Sequence, residues 1–389
     1  MPNYLDALPA LVEGIEAILE TVITNVVLIG QIPAPTFREK RRIQTVLDRM
    51  AELHVDEATT DGYRNPIGII RGTDRSKPPI FVVAHLDTFS TNEEEVHYTV
   101  GKNSVTGPGI TDNSLGVGVL ISLPELFRRL GLRFSSDIVL AGVIQSLGRG
   151  NLRGIRHLLK TWSTPVRGAV VIEGIELGRL NYYCDSMIRS EIECRIPTDR
   201  NVDSRFRTNA VLVLNEVINQ ILQLRMPQRP NTRVVFGKVS AGVKHGDIAL
   251  NGRLGLEIQS KEDRMVRSVH SDIRDIVEGI GHEWKADLQL RTVSNVHAAR
   301  LPFAHPLVKA GSAILKRLGL KPVSSHSESE LSIFLARGIP ALTMGITRGT
   351  NYHLENASME IRPMPTGIGQ VIAAIMAIDA GVCDEVKLA

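Results

Sequence analysis

The stretch PPIFVVAHLDT, residues 78–88, constrains this 389-residue chain more than any other. Ile80 to Ala84 are apolar without alternation. A strand of that kind is buried on both faces, so it needs covering layers on each side. The neighbouring text supplies them. An amphipathic helix is expected over Leu8–Leu28, where Glu13, Glu16 and Glu20 interrupt the apolar residues. A second is expected over Phe37–Leu53, after the prolines of IPAPTFREK, with Thr36 and Glu39 at capping-box spacing. NPIGIIRG, Asp137–Ile144 and Ala169–Glu173 read as further strands. Leu115–Leu130 and Leu152–Trp162 read as helices between them. Strands alternating with helices specify an α/β fold with a sheet covered on both sides.

The texture changes near Leu180. Tyr182–Arg195, Thr232–Val239 and Arg253–Ser260 read as strands, and Asn209–Leu224 and Val269–Ile280 as helices. That is a smaller α+β domain. The α/β pattern returns with a helix over His305–Leu318 and a strand over Ala341–Gly345. The expected organisation is a discontinuous main domain, 1–180 and 297–389, with an inserted domain at 181–296.

Charge excludes some functions. Lys and Arg exceed Asp and Glu by only three, and the basic residues are scattered. Small excesses at Arg149–Arg156 and Arg200–Arg207 read as solvated faces, so no nucleic-acid footprint is expected. The acids in the first helix rule it out as a membrane span and argue against a secretory signal. Cys184, Cys194 and Cys383 show no CxxC spacing, which fits a reducing cytoplasm.

Four short segments carry candidate chemistry. His85 and Asp87 stand two apart at the end of the apolar strand, on one face by strand periodicity. A histidine there suits a metal, and a nearby carboxylate can hold its ring; a surface His and a turn-capping Asp would look the same. In GPGITDNSLGVGVL, Asp112 and Asn113 read as helix caps, or Asp112 as a carboxylate on a tight loop able to bridge two cations. Glu173 ends the strand in VIEGIELG, where core packing rarely explains a Glu, though an exposed strand end would look the same. His353 lies in a loop after a glycine-containing turn. Nitrogen and oxygen donors of these types suit zinc, manganese or cobalt.

In order and approximate spacing, these segments resemble the M20 metallopeptidases and amidohydrolases over nearly the whole chain. The resemblance also runs through NLRGIRHLL and ARGIPALTMGITRGTNYH. It implies a zinc-peptidase-like, doubly covered mixed sheet with an inserted lid, or dimerisation, domain, and hence a homodimer paired through that lid. It implies His85 as first metal ligand, Asp87 as the carboxylate that orients it, and Asp112 as the bridge. Glu173 would complete the first metal's shell, and His353 would be the last ligand of the second.

The departures from the family pattern are as informative. The family carries a Glu-Glu pair, base and metal ligand, after a strand like DIVLAGVI. Anchored on NLRG, the pair falls here on Ser146 and Leu147; shifted by one it falls on Gln145 and Ser146. Neither register holds a carboxylate. The family's lid His falls on or near Arg200, its lid Asn near Gly246, and its substrate-gripping Arg on Gln259. His245 is an alternative in a shifted register. A missing general base costs on the order of 10² to 10⁴ in rate, and a missing oxyanion donor roughly 10² to 10³. The expectation is therefore an M20-type metallo-hydrolase scaffold for small peptides or N-acyl amino acids with ordinary catalysis impaired. One zinc, or manganese or cobalt, is expected rather than two. Glu176 is the nearest substitute base in the sequence. The alternatives are a non-catalytic binder of an amino-acid-like ligand or protein partner, and a single-metal Lewis-acid reaction on the same scaffold.

Overall fold

In the computed structural model, residues 3–53, 55–89, 96–197, 208–226, 230–327 and 329–384 are described. The chain divides into two compact units, Met1–Tyr183 with Arg300–Ala389, and Cys184–Ala299. The principal strands are β1 (Glu57–Thr60), β2 (Pro66–Ile70), β3 (Ile80–His85), β4 (Ile138–Val143), β5 (Gly168–Ile175), β6 (Leu180–Asn181), β7 (Ser186–Arg195), β8 (Arg233–Ala241), β9 (Asn251–Ser260), β10 (Asp287–Val296) and β11 (Ala341–Thr347).

In the first unit, seven strands form one mixed sheet in the order β1-β2-β4-β3-β5-β11-β6. The pairs β4–β3, β3–β5 and β5–β11 are parallel. The outer strands β1, β2 and β6 run antiparallel to their neighbours. Every residue of β3, β4 and β11 is buried, so both faces are covered. The next two strands of the sheet core, β4 and β5, fall on opposite sides of β3. That makes the carboxyl end of β3 a switch point, where α/β sheets place their ligands.

Helices α1 (Leu8–Glu16), α2 (Leu19–Gly30), α3 (Lys40–Glu52), α4 (Leu115–Arg129) and α5 (Arg153–Thr161) come from the first part of the chain. The expected Leu8–Leu28 helix is thus two. The expected capping box before α3 does not form. Thr36 Oγ1 donates instead to Asp87 Oδ2 at 2.8 Å, and Glu39 Oε1 accepts from the Phe37 and Gln145 N–H groups. Tertiary partners outbid the local cap. No helix is long and apolar enough to cross a membrane among the described residues.

The second unit is an antiparallel sheet, β8-β9-β7-β10, with α6 (Ala210–Gln223) and α7 (Asp263–Trp284) packed on it. Strand β9 alternates exposed and buried residues in its first half, Asn251 to Leu254, as a one-sided sheet requires. Its core gathers Ile192, Val213, Val217, Leu254, Ile258 and Ile273. Strand β10 was not expected from the sequence, although Leu288 and Leu290 alternate with polar residues and pack against this core. The last elements, α8 (Pro306–Arg317), α9 (Leu331–Ala336), β11 and α10 (Met364–Asp379), belong to the first unit.

One close approach sets the packing of α4 on α2. A Cβ added at Gly118 would lie 2.4 Å from Val26 Cγ2 and 2.7 Å from Val26 Cα. Helix propensity alone makes Gly→Ala stabilising by roughly 0.5–1 kcal/mol. Overpacking costs about 1–3 kcal/mol and wins here. Gly118→Ala is expected to lower the denaturant midpoint, whereas Gly279→Ala in α7, where nothing lies within 4 Å, should raise it.

Candidate metal centre

The site is built at the carboxyl ends of the parallel strands. His85 is the last residue of β3 and is 3% exposed. Its Nδ1 lies 3.0 Å from the backbone carbonyl of Asp87 and 3.7 Å from Asp87 Oδ1. The carbonyl therefore holds the ring more closely than the carboxylate does. With Nδ1 donating to the carbonyl, Nε2 faces Asp112, and a cation bound there would take the place of the Nε2 proton. The Asp87 carboxylate is fully buried and tied elsewhere. It accepts from the Ser146 N–H at 3.0 Å, the Leu147 N–H at 2.9 Å and the Thr36 hydroxyl.

Asp112 sits in the turn Ile110–Ser114 that opens α4. That turn rests on β5, because Gly174 has no Cβ; one added there would lie 2.5 Å from the Thr111 carbonyl. Asn113 does the capping, accepting from the Gly116 N–H at 3.1 Å and donating to the Ile172 carbonyl. Asp112 is left free for other work. Its Oδ1 lies 2.9 Å from His85 Nε2, and its Oδ2 lies 3.0 Å from His353 Nε2. The short strands Ser104–Thr106 and Ser358–Glu360 pair antiparallel and bring the His353 loop to the Asp112 loop. The His353 ring packs against Phe89 and Tyr352, with centroids 4.1 and 3.8 Å away. Phe89, Pro108, Gly109, Asp112, His353, Leu354 and Glu355 line a cleft of about 140 Å³.

His85, Asp112 and Glu173 form a buried group whose ligand atoms lie within 4.8 Å of one another. Donors about 2.0–2.2 Å from a shared ion in a tetrahedron stand roughly 3.3 Å apart, so modest side-chain movement would close the group on a cation. The charges ask for one. Burial opposes charging of the His85 ring, but the Asp112 and Asp87 carboxylates outweigh it and raise its pKa well above the ordinary value. Burial likewise works against ionised Asp112, yet hydrogen bonds from His353 and His85 hold it far below the usual carboxylate range. Glu173 has too little such support. Burial pushes it up to about 7 against the pull of His85, and the Asp112 and Glu330 carboxylates add to the rise.

The remaining expected residues are placed as follows. Ser146 and Leu147 hang from Asp87 by their backbone N–H groups, so their loop is held in place without a carboxylate. Gln145 accepts from the Tyr63 hydroxyl at 2.8 Å. Glu176 is exposed beyond the end of β5 and outside the buried group. Gly246 is exposed with a left-handed backbone, and His245 beside it is also exposed. Gln259 accepts from Arg233 Nε at 2.6 Å and donates to Glu257, which in turn pairs with Arg189. Arg200 lies outside the described residues.

Sequence reasoning missed Glu330, which precedes α9. It is 0% exposed, and its Oε1 accepts from Ser146 Oγ at 2.5 Å. In the sequence it looks like an acidic residue at a helix start, the commonest place for one. Arg42 was missed as well. It is fully buried and donates to the Leu86 and Ile32 carbonyls, bracing the chain on either side of the site.

The Glu173 shift has a sign that can be measured. Its folded pKa of about 7 lies above the ordinary 4.5 of a free Glu. The stability linked to it is fully present below about 4.5 and is lost as pH rises through about 7. In metal-free protein, Glu173→Gln is expected to flatten the fall in denaturation midpoint between pH 4.5 and 7.5. An unchanged slope would contradict the assignment.

The model of Peptidase family M28 matches residues 65–144, about a fifth of the chain, including His85, Asp87 and Asp112. No curated protein sequence matches. Among solved structures, the chain is similar to a di-peptidase from Saccharomyces cerevisiae, with TM-score 0.76 and 12% identity, covering 96% of this chain and 99% of that one. It is similar to human carnosine dipeptidase 1, with TM-score 0.74 and 10% identity over 96% and 100%. It is also similar to a Bacillus subtilis protein described as a dinuclear metal-binding peptidase from the M20 family, with TM-score 0.63 and 15% identity over 95% and 100%. Over nearly its whole length, the chain has the fold of the M20-type peptidases.

Proposed function

We propose that this chain is a metal-dependent hydrolase of the M20 type, acting on small peptides or N-acyl amino acids at one metal rather than two. The observation that carries the reading is the buried His85–Asp112–Glu173 group. Zinc suits one imidazole and two carboxylates, and manganese or cobalt would also be accepted. A bound divalent ion supplies Lewis acidity that polarises a substrate carbonyl. The protein does the rest. Asp87 keeps the His85 ring turned toward the site through its carbonyl. Asp112 spans from His85 to His353 with its two oxygens. The cleft beside them, about 140 Å³, favours an amino-acid-sized group over a long chain. Phe89 and Leu354 give it apolar walls.

A second reading is binding of an amino-acid-like ligand or partner without turnover. Ser146 and Leu147 favour it, since neither brings the base that the M20 pattern has there. The position proposed for the lid's substrate grip supports it too, because Gln259 is engaged with Arg233 and Glu257. A single-metal Lewis-acid reaction would use the same group. The inserted unit would serve as the dimer contact. Edge strand β8 is largely exposed, with Val235 and Val239 44% and 63% accessible. Three buried free cysteines support a reducing, cytoplasmic setting.

Two measurements test this reading. Dialysis against excess zinc is expected to leave one tightly held ion per chain, and two would overturn the single-metal assignment. A dipeptide and N-acyl amino acid library is expected to show turnover that falls to background in Asp112→Ala. Ligand binding without turnover in the wild type would select the non-catalytic reading.

A further inference from the structure

Of the residues that wall the cleft beside Asp112, three carry a titratable side chain: Asp112, His353 and Glu355. The first two are committed to each other. Asp112 meets His85 with one oxygen and His353 with the other. Glu355 is uncommitted, since its carboxylate has no hydrogen-bond or ion-pair partner among the described residues. Its loop is nonetheless fixed. The Leu354 N–H donates to the Asn351 carbonyl at 2.9 Å, the Ala357 N–H to the Leu354 carbonyl at 3.1 Å, and the Asn351 side-chain amide to the Asn356 carbonyl at 3.3 Å. Asn351 and His353 both take left-handed backbone, with φ of 55° and 66°. Residues other than glycine adopt it rarely, and keep it where their surroundings demand it. The resulting turn sets three consecutive residues, His353, Leu354 and Glu355, against one cleft. The apolar walls stand open rather than packed away, with Phe89 49% and Leu354 56% accessible.

A free carboxylate beside open apolar walls suits a group that is cationic and carries an apolar substituent. An unblocked peptide terminus is such a group. Its ammonium is compact, and it is carried on the carbon beside the first carbonyl. A cleft of about 140 Å³ that receives this carbonyl next to Asp112 therefore brings the ammonium within reach of Glu355. A lysine side chain holds its charge on a long flexible stem, which so small a cleft does not house. We propose that Glu355 is a specificity-determining residue that receives the free α-amino group of a peptide, with Phe89 and Leu354 against the first side chain, so that unblocked peptides are selected over N-acylated ones. The inference rests on the reading of this cleft as the substrate site of a metal centre at His85, Asp112 and Glu173. It narrows that reading, which otherwise admits both substrate classes. Acylation removes the charge and brings in a carbonyl oxygen, which the Glu355 carboxylate repels.

The test compares the full chain as wild type, Glu355→Gln and Glu355→Lys, each loaded with zinc. Binding of leucyl-alanine and of N-acetyl-leucyl-alanine is measured by calorimetry, and turnover of each is followed alongside. Zinc affinity is measured by competition with a chromophoric chelator. The wild type is expected to bind the free dipeptide about 10-fold more tightly than the acetylated one, the lower end for a charged hydrogen bond because Glu355 is exposed. Glu355→Gln is expected to lose that advantage on the free dipeptide alone, with binding of the acetylated one and of zinc little changed. Where turnover is measured, the loss should fall on KM rather than kcat. Glu355→Lys should favour the acetylated compound. Equal binding of the two dipeptides by wild type overturns this inference alone. So does a Glu355→Gln variant that weakens both dipeptides equally, which marks a structural role, or one that weakens zinc, which marks a metal ligand. A wild type that holds zinc but neither dipeptide, or that holds no zinc, removes the proposed function and this inference together.

Discussion

The buried carboxylate of Asp87 joins the separate pieces of the site. It is fully enclosed, so its charge must be met by hydrogen bonds. Two come from backbone N–H groups of the loop after β4 and one from Thr36 in the lead-in to α3. Hydrogen bonds to a charged acceptor contribute about 1.5–3 kcal/mol each. Burial would raise the Asp87 pKa, but His85 and the two backbone donors more than offset it and hold the group ionised. His85 gains its orientation from the same residue's carbonyl. The position of the Ser146 loop therefore does not depend on what side chain residue 146 carries. The fold at this loop therefore tolerates different side chains at residue 146.

Around this hub the chain concentrates negative charge. Asp112 is stabilised by two imidazoles, one on each oxygen. Glu173 lacks such partners and keeps its proton to about pH 7. Glu330 has one partner for two oxygens. A core assembled only for stability would avoid this arrangement, because each unpaired buried acid works against folding. Under the metal-centre reading proposed above, affinity for a cation would be the compensating gain, since binding to the folded state alone adds stability.

In the inserted unit, the Gln259 amide both accepts from Arg233 and donates to Glu257. The residue is absorbed into a polar chain along the sheet that includes Arg189. Gly246 offers backbone alone, on an exposed turn. In the first unit, Phe89, His353 and Leu354 form walls of the cleft beside Asp112.

The sequence alone determined the elements whose signal is local. Continuous apolar runs announced β3, β4 and β5, and the strand-end His85 and Glu173 stood out because a polar residue closing such a run has no packing reason to be there. The family pattern added the order of His85, Asp112, Glu173 and His353. Strand β10 was missed although Leu288 and Leu290 alternate with polar residues, and α9 was too short to show a period. Tertiary structure alone decided the partners. It turned Thr36 from a helix cap into a donor to Asp87, and gave Asn113 rather than Asp112 the capping role. It also carried Glu330 across 184 positions to Ser146. No local periodicity encodes which buried oxygen meets which hydroxyl, because that depends on how distant strand ends converge.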